Sequence, residues 1–309
     1  MPRHRHHSEA GEIIAKRIGQ RLGIFRLQHP DDQVQSLACE MRTQHRARTG
    51  IVAAIEPDFA IARQPTRREA LNEADIAILC LPDDAARDAV ELLDPAKGTR
   101  IIDASSAHRT TEGWCYGFPE LVGRERVADA RRVSNPGCYP TGFLGLVAPL
   151  VREGLLPADW PFTVNAVSGY SGGGKAMIAD FERDDAPGFR AYGYDLRHKH
   201  LPEMQARAGL EHSVLFAPAV VPVYRGMIVE VPLHLGAMAG EPHADDLRAS
   251  LADFYTGSSV VSVRRDGNPS ELVLQREAEP WDGMELFVFG NEGGSNARLV
   301  ARLDNLGKG

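Results

Sequence analysis

Between residues 65 and 105 the chain runs helix, strand, helix, strand, and this order restricts the fold more than any other feature. "TRREALNEA" is rich in helix formers, and "DIAILCL" is an apolar run that stops at Pro82. "DDAARDAVELL" is a second helical stretch, with Asp83 and Asp84 at its start, where negative charge complements the helix dipole. "TRIIDAS" is the next strand. Two apolar strands joined through a helix predict a βαβ crossover and hence a parallel sheet. Such sheets bind ligands beyond the carboxyl ends of their strands, so "LPDDA" and "DASSAHR" lie at the expected ligand edge.

The pattern on either side is different. Upstream, Ile13, Ile14, Ile18, Leu22 and Phe25 have roughly helical spacing, "SLACEMRTQHRARTG" extends a helical region, and "GIVAAIEPDFAIA" offers a short strand ended by Pro57. Downstream, "FLGLVAPLVREGLL" reads as a helix stopped by Pro157 and Pro161. "FTVNAVSGYSGGGK", "SVLFAPAVVPVYRG" and "MIVEVPLHLG" are alternating or β-rich, "ADDLRASLADFY" is helical, and "ELFVFGNE" and "ARLVARLDNL" are late strands. This run predicts a second domain with a largely antiparallel sheet covered by helices.

Composition narrows the class. A chain of 309 residues, 43% apolar and 25% charged, holds one large or two modest globular domains. A net charge of −7 argues against nucleic acid as the main partner. Cys39, Cys80, Cys115 and Cys138 show no CxxC spacing, which points to a reduced, cytoplasmic compartment. No window approaches roughly eighteen consecutive apolar residues, and "MPRHRHH" lacks the apolar core of a secretory signal, so neither membrane span nor export is expected.

The chemistry gathers at four places. In "VSNPGCYPTGFLGLV", Cys138 falls between a Pro-Gly turn and an apolar helical run. A helix start offers unpaired N–H groups that favour a thiolate, the nucleophilic form, and can hold an oxyanion. A buried structural thiol is the competing reading. "HKHLPE" supplies His198 and His200 as acid–base candidates, with Glu203 as a candidate orienter of one imidazole. With no cysteine or third histidine close by, no metal site is expected there. "SGYSGGGK" is a glycine-rich stretch from Ser168 to Lys175 whose N–H groups can approach a phosphate; it lacks the spacing of a P-loop, and a plain flexible loop has the same composition. Arg109 in "DASSAHR" and Arg225 in "VYRG" are candidates for phosphate or carboxylate.

Together with "EADIAILCLPDDAA", "GWCYGFPEL" and "ARLDNLGKG", these motifs resemble, over roughly residues 65 to 309, the shorter form of the N-acetyl-gamma-glutamyl-phosphate reductases, relatives of the aspartate-semialdehyde dehydrogenases. The resemblance implies an α/β protein: a Rossmann-like parallel-sheet dinucleotide domain plus an α+β catalytic domain with a mixed, largely antiparallel sheet. The expected divisions are 1–137 for the dinucleotide domain, with 1–64 atypical, 138–290 for the catalytic and oligomerisation domain, and 291–309 as a shortened return segment towards the first domain. It implies that Cys138 attacks an acyl phosphate, that NADP(H) serves as cofactor, and that His198 or His200 manages the protons. Cofactor contacts are implied at Gly11, Pro82, Ser168, Gly169, Gly172 and Gly173, and substrate contacts at Arg109, Asn135, Lys175 and Arg225. The family's GxxGxxG loop has its best counterpart in "SEAGEII", where Ser8 and Ile14 replace two of the glycines. A homo-oligomer acting on a small acyl phosphate is the reading carried forward. An aspartyl-phosphate reductase and a cofactor-impaired, non-catalytic relative are its alternatives.

Overall fold

The computed structural model describes residues 52–55, 64–264 and 269–309. Gly11, Cys39 and the helical spacing read over 13–25 lie outside the described residues. The chain divides into two compact units, residues 1–117 with 125–135 and residues 118–124 with 136–309.

The first unit is built on a five-stranded sheet. Its elements are β1 (Val52–Ile55), α1 (Gln64–Glu73), β2 (Ile76–Leu79), α2 (Asp83–Glu91), β3 (Arg100–Asp103), β4 (Cys115–Tyr116) and β5 (Arg132–Ser134). The strand order is β1-β2-β3-β5-β4 and every pair is parallel. Ala70 and Leu71 of α1, Ala74 just after it, and Ala86 and Ala89 of α2 are buried with Ala77, Leu79 and Ile101 of β2 and β3. Small residues on these helices let them lie close to a sheet of branched side chains.

The short helix α3 (Pro119–Val122) belongs to the second unit, and α4 (Arg124–Asp129) leads back into the first. The second unit then runs α5 (Cys138–Arg152), β6 (Thr163–Gly169), a 3-10 turn (Tyr170–Gly173), α6 (Gly174–Phe181), β7 (Arg190–Ala191), α7 (Leu201–Ala208), β8 (Leu215–Val221) and β9 (Met227–Leu233). It ends with α8 (Ala244–Phe254), β10 (Val261–Val263), β11 (Met284–Gly290) and β12 (Ala297–Leu303). The sheet order is β10-β11-β12-β9-β6-β8-β7, with β10–β11 and β6–β8 parallel and the other pairs antiparallel. The fold is therefore the α/β architecture expected, a parallel sheet followed by a mixed one. Residues 297–303, within the expected return segment, form β12 between β11 and β9. Among the described residues, no helix is long and apolar enough to cross a membrane.

Helix α5 organises the second unit. Every residue from Cys138 to Leu150 is buried, so this helix has no solvent face along most of its length. Gly142 and Gly145 set how near it comes to the sheet. A Cβ at Gly142 would lie 2.7 Å from Val229 Cγ2 of β9, and one at Gly145 would lie 2.6 Å from Met284 Cε of β11. The helix ends at Arg152, before the Pro157 stop read from sequence. Gly154 takes φ 74°, Gly154 N–H donates to the Val151 carbonyl at 3.1 Å, and Leu155 N–H donates to the Leu150 carbonyl at 2.9 Å. That is a Schellman ending, which only a left-handed glycine completes without strain.

Pro149 lies inside α5 and has no N–H to give to the Gly145 carbonyl one turn back. The Tyr255 hydroxyl donates to that carbonyl instead, at 2.9 Å. Burial, and then the charge of Glu120, push the Tyr255 phenol well above its ordinary range, so it remains a donor. Tyr255→Phe is expected to cost about 1–3 kcal/mol, because a buried carbonyl loses its donor. Adding Pro149→Ala to that variant returns a helical N–H and should recover part of the loss in urea denaturation. A Tyr255→Phe protein as stable as the parent would contradict this account.

Candidate active site

The start of α5 is set by the Pro-Gly turn. Gly137 is its N-cap, extended at φ −76° and ψ 148°, and Cys138 is the first helical residue. Thr141 closes the first turn twice on the Gly137 carbonyl, through its N–H at 2.9 Å and its hydroxyl at 3.0 Å. Pro140 sits where a helix has no internal use for an N–H. Cys138 is buried, 7% exposed, at the end of the helix where the peptide dipoles favour negative charge on sulfur. Cys80, Cys115 and Cys138 form no disulfide.

A second helix delivers the other groups. His200 is the N-cap of α7, Pro202 lies in its first turn, and Glu203 follows one residue later. The Glu203 carboxylate is almost fully buried, and its Oε1 accepts the Gly137 N–H at 2.9 Å. The residue read as an imidazole orienter thus holds the backbone of the cysteine turn.

Both histidines pack on Tyr139, the residue after Cys138. Ring centroids of His198 and His200 lie 6.1 and 6.0 Å from that of Tyr139 and 4.7 Å from each other. The His200 N–H donates to His198 Nδ1 at 3.2 Å, which assigns the proton of the neutral His198 ring to Nε2. Burial, and then the charge of Lys199, lower the His198 pKa from 6.5 to about 4. His198 is therefore a neutral hydrogen-bond donor at pH 7. The Tyr192 hydroxyl donates to the Tyr139 hydroxyl at 3.4 Å, and the latter donates to the Ala219 carbonyl at 3.2 Å. Burial raises both phenols above their ordinary range, and the charge of Cys138 adds to each shift. The nearby Ser168 side chain offsets part of the Tyr139 shift. The structure thus brings Cys138, His198, His200 and Ser168 around one tyrosine.

The glycine-rich stretch meets a neighbouring turn of the same unit. Gly169, Tyr170 and Ser171 donate their N–H groups to the carbonyls of Gly226, Val223 and Tyr224, at 2.8, 2.9 and 3.2 Å. A Cβ at Gly169 would lie 2.7 Å from two of those carbonyl oxygens, so glycine permits the strand to meet the turn beside Arg225. Arg225 is paired with Asp304 at 3.0 Å. Asn305, fully buried, accepts the Gly226 N–H at 2.9 Å and donates to the Ser171 hydroxyl at 2.9 Å. Gly172 lies close enough to Asn305 that a Cβ would sit 3.3 Å from its Nδ2. Gly172, Gly173 and Lys175 are exposed, with Lys175 in the first turn of α6. Asp304 and Asn305 of "ARLDNLGKG", like Tyr139 and Tyr192, carry no sequence signal for the contacts they make.

The remaining candidates belong to the first unit. Arg109 is buried; its Nε donates to the Asn135 carbonyl at 2.9 Å and its Nη2 to the Ala104 carbonyl at 3.4 Å. Asn135, also buried, donates its N–H to the Asp103 carbonyl at 2.7 Å. Pro82 is exposed and caps α2.

The state of His198 can be tested directly. The folded protein holds its ring neutral, so between pH 6.5 and 4 the unfolded chain binds the extra proton. Its contribution to stability is complete above about pH 6.5 and is lost as the pH falls towards 4. NMR titration of labelled histidine should show His198 titrating near 4; a midpoint near 6.5 would contradict the buried, neutral assignment.

Comparison with known proteins places this geometry. The family model for the semialdehyde dehydrogenase NAD binding domain matches residues 19–130, and that for the semialdehyde dehydrogenase dimerisation domain matches residues 138–305. N-acetyl-gamma-glutamyl-phosphate reductases of Brucella anthropi and Brucella ovis are each 46% identical over 288 residues, covering 90% of this chain and 93% of theirs. Among solved structures, aspartate semialdehyde dehydrogenase II of Vibrio cholerae aligns with a TM-score of 0.55 at 18% identity, over 77% of this chain and 76% of its own. The enzyme of Francisella tularensis aligns with a TM-score of 0.55 at 13% identity, over 77% and 79%. At such identities these structures speak for the fold alone. The chain belongs to the semialdehyde dehydrogenase family and, within it, to the N-acetyl-gamma-glutamyl-phosphate reductases.

Proposed function

We propose that this chain reduces N-acetyl-L-glutamyl 5-phosphate to N-acetyl-L-glutamate 5-semialdehyde and phosphate, with NADPH as reductant, in arginine biosynthesis. The observation that carries the reading is the cysteine at the first turn of a buried helix, with two imidazoles packed on the next side chain and a carboxylate on its N-cap. The relatives carry the substrate in their names.

Cys138 Sγ attacks the acyl carbon, the bond from that carbon to the phosphate oxygen breaks, and phosphate departs with the bonding pair. The first-turn N–H groups of α5 hold the negative charge that develops on the acyl oxygen. When bound, NADPH would supply the hydride that brings the thioester carbon to the aldehyde level. Collapse of the resulting oxyanion expels Cys138 as thiolate, so the sulfur ends the cycle as it began. The one proton that the balance requires goes to the departing phosphate. His198 Nε2–H suits a hydrogen bond to the oxyanion, a task a neutral imidazole performs. His200 is the other candidate for moving the proton. Arg109 and Asn135 are assigned to the phosphate end of the substrate, Arg225 to its carboxylate, and Lys175 to anion attraction.

The first unit fits a dinucleotide at the carboxyl edge of its parallel sheet, where the loops at Pro82 and Ser105 emerge from β2 and β3. Pro82 is assigned to that edge, and Ser168, Gly169, Gly172 and Gly173 to the reacting end of the cofactor. Gly11 is assigned to the diphosphate and lies outside the described residues. The working form is taken to be a homo-oligomer joined through the unit that a dimerisation-domain model matches.

The assay is phosphate-dependent reduction of NADP by N-acetylglutamate semialdehyde. Activity is expected with this substrate at a kcat/KM at least about tenfold above that with aspartate semialdehyde, a margin that a few placed hydrogen bonds supply. Cys138→Ser should lower kcat by at least about 10³-fold with an unchanged circular dichroism spectrum. Equal use of both semialdehydes would remove the substrate assignment, and an active Cys138→Ser protein would remove the nucleophile.

A further inference from the structure

The loops at the carboxyl edge of the first unit's sheet are tied together by one carboxylate. Asp83 follows the rigid cap Pro82, at the first position of α2. Its Oδ1 accepts both the N–H and the hydroxyl of Ser106 at 3.0 Å, and its Oδ2 accepts that hydroxyl at 2.7 Å. Ser106 belongs to the loop after β3, 23 residues further along the chain.

That second loop is itself cross-braced. Asp103 is fully buried and accepts the Ser105 N–H at 3.0 Å, the Ser105 hydroxyl at 2.9 Å and His108 Nδ1 at 2.6 Å. The His108 ring stacks on Trp114, with centroids 4.0 Å apart and planes at 12°. Arg109 comes next, anchored by its Nε on the Asn135 carbonyl. Residues 103–109 are therefore braced by hydrogen bonds and a ring stack that lie between Ser106 and Arg109. Asp84, the neighbouring carboxylate, shows the contrast: its side chain is fully exposed and pairs with Arg87 of its own helix at 2.8 Å.

We propose that Asp83 is a positioning residue that couples the cofactor loop at Pro82 to the loop that presents Arg109, so that binding of NADP and of phosphate influence one another. The inference rests on the assignments of Pro82 and Arg109 made under the proposed function. Packed and hydrogen-bonded groups can carry coupling of this kind, and such groups run from Pro82 through Asp83 and Ser106 to Arg109 here. Nothing in the reaction chemistry requires it, since neither Asp83 nor Ser106 is assigned to a reacting atom.

The test is fluorescence titration of the full chain with NADP, with and without inorganic phosphate, which needs no turnover. In the parent protein, phosphate should change the NADP dissociation constant several-fold. In Asp83→Asn, in Ser106→Ala and in the double variant that factor should fall to about one, and the double variant should be no worse than either single. Asp84→Asn should keep the parent's factor. In the phosphate-dependent assay, the latch variants should raise the KM for NADP and for phosphate together and leave kcat within about twofold. A purely structural bond would lower the melting temperature and leave the coupling factor intact, which overturns the proposal. So does a parent protein whose NADP affinity ignores phosphate. Failure of the reductase reading looks different: NADP and phosphate still couple, but no semialdehyde is oxidised.

Discussion

The bond from the Gly137 N–H to Glu203 Oε1 joins segments 66 residues apart and fixes the first turn of the cysteine helix. A carboxylate as deeply buried as Glu203 is tolerated only where donors meet it, so the contact holds α7 against the start of α5 as firmly as it holds the turn. His198 and His200 immediately precede α7, and their rings come to rest on Tyr139 because the helix they lead into is pinned in this way. Position of the thiol and position of the imidazoles are thus one constraint. The first-turn N–H groups after Gly137 are those of Cys138 and Tyr139, since Pro140 has none and the Thr141 N–H bonds to the Gly137 carbonyl.

A second set of contacts fixes the far side of the same unit. The strand carrying Ser168 and Gly169 is zipped by backbone bonds to the turn at Val223–Gly226, and the end of β12 grips that turn twice, Asp304 on the Arg225 guanidinium and Asn305 on the Gly226 N–H. Asn305 then reaches Ser171. Ser168 lies near enough to Tyr139 to act on its phenol, and Ser171 of the same stretch accepts from Asn305. The Arg225–Asp304 pair is nearly buried, and loss of one partner would leave the other's charge uncompensated. An arginine held in this way keeps a single orientation.

What the sequence revealed and what it hid follow from distance along the chain. The parallel sheet was legible because strand, helix and strand are local patterns, and Asp83 and Asp84 marked the start of α2 as a helix dipole requires. The start of α5 was legible from a Pro-Gly turn before an apolar run. Its end was not: "APLVREGLL" carries a proline inside the helix, which ends at Arg152, and the bond from Tyr255, 110 residues from Gly145, shows how the proline is tolerated. The glycines of "SGYSGGGK" announced a close approach, but not that the partner of Gly169 is a backbone turn. Asn305 lies 134 residues from Ser171, and no spacing rule links the two. Glu203 was visible as a candidate, while the Gly137 N–H that it accepts, a backbone group, leaves no trace in composition.

The claim on which the account rests is that Cys138 carries the acyl group. Mixing the protein with N-acetylglutamate semialdehyde and NADP in the absence of phosphate stops the reverse reaction at the thioester, and peptide mass spectrometry then locates the adduct. The account predicts one burst of NADPH per active chain and an N-acetylglutamyl mass on the peptide that contains Cys138, released as a hydroxamate by hydroxylamine. A burst with the acyl mass on another residue, or with no covalent adduct, would contradict it.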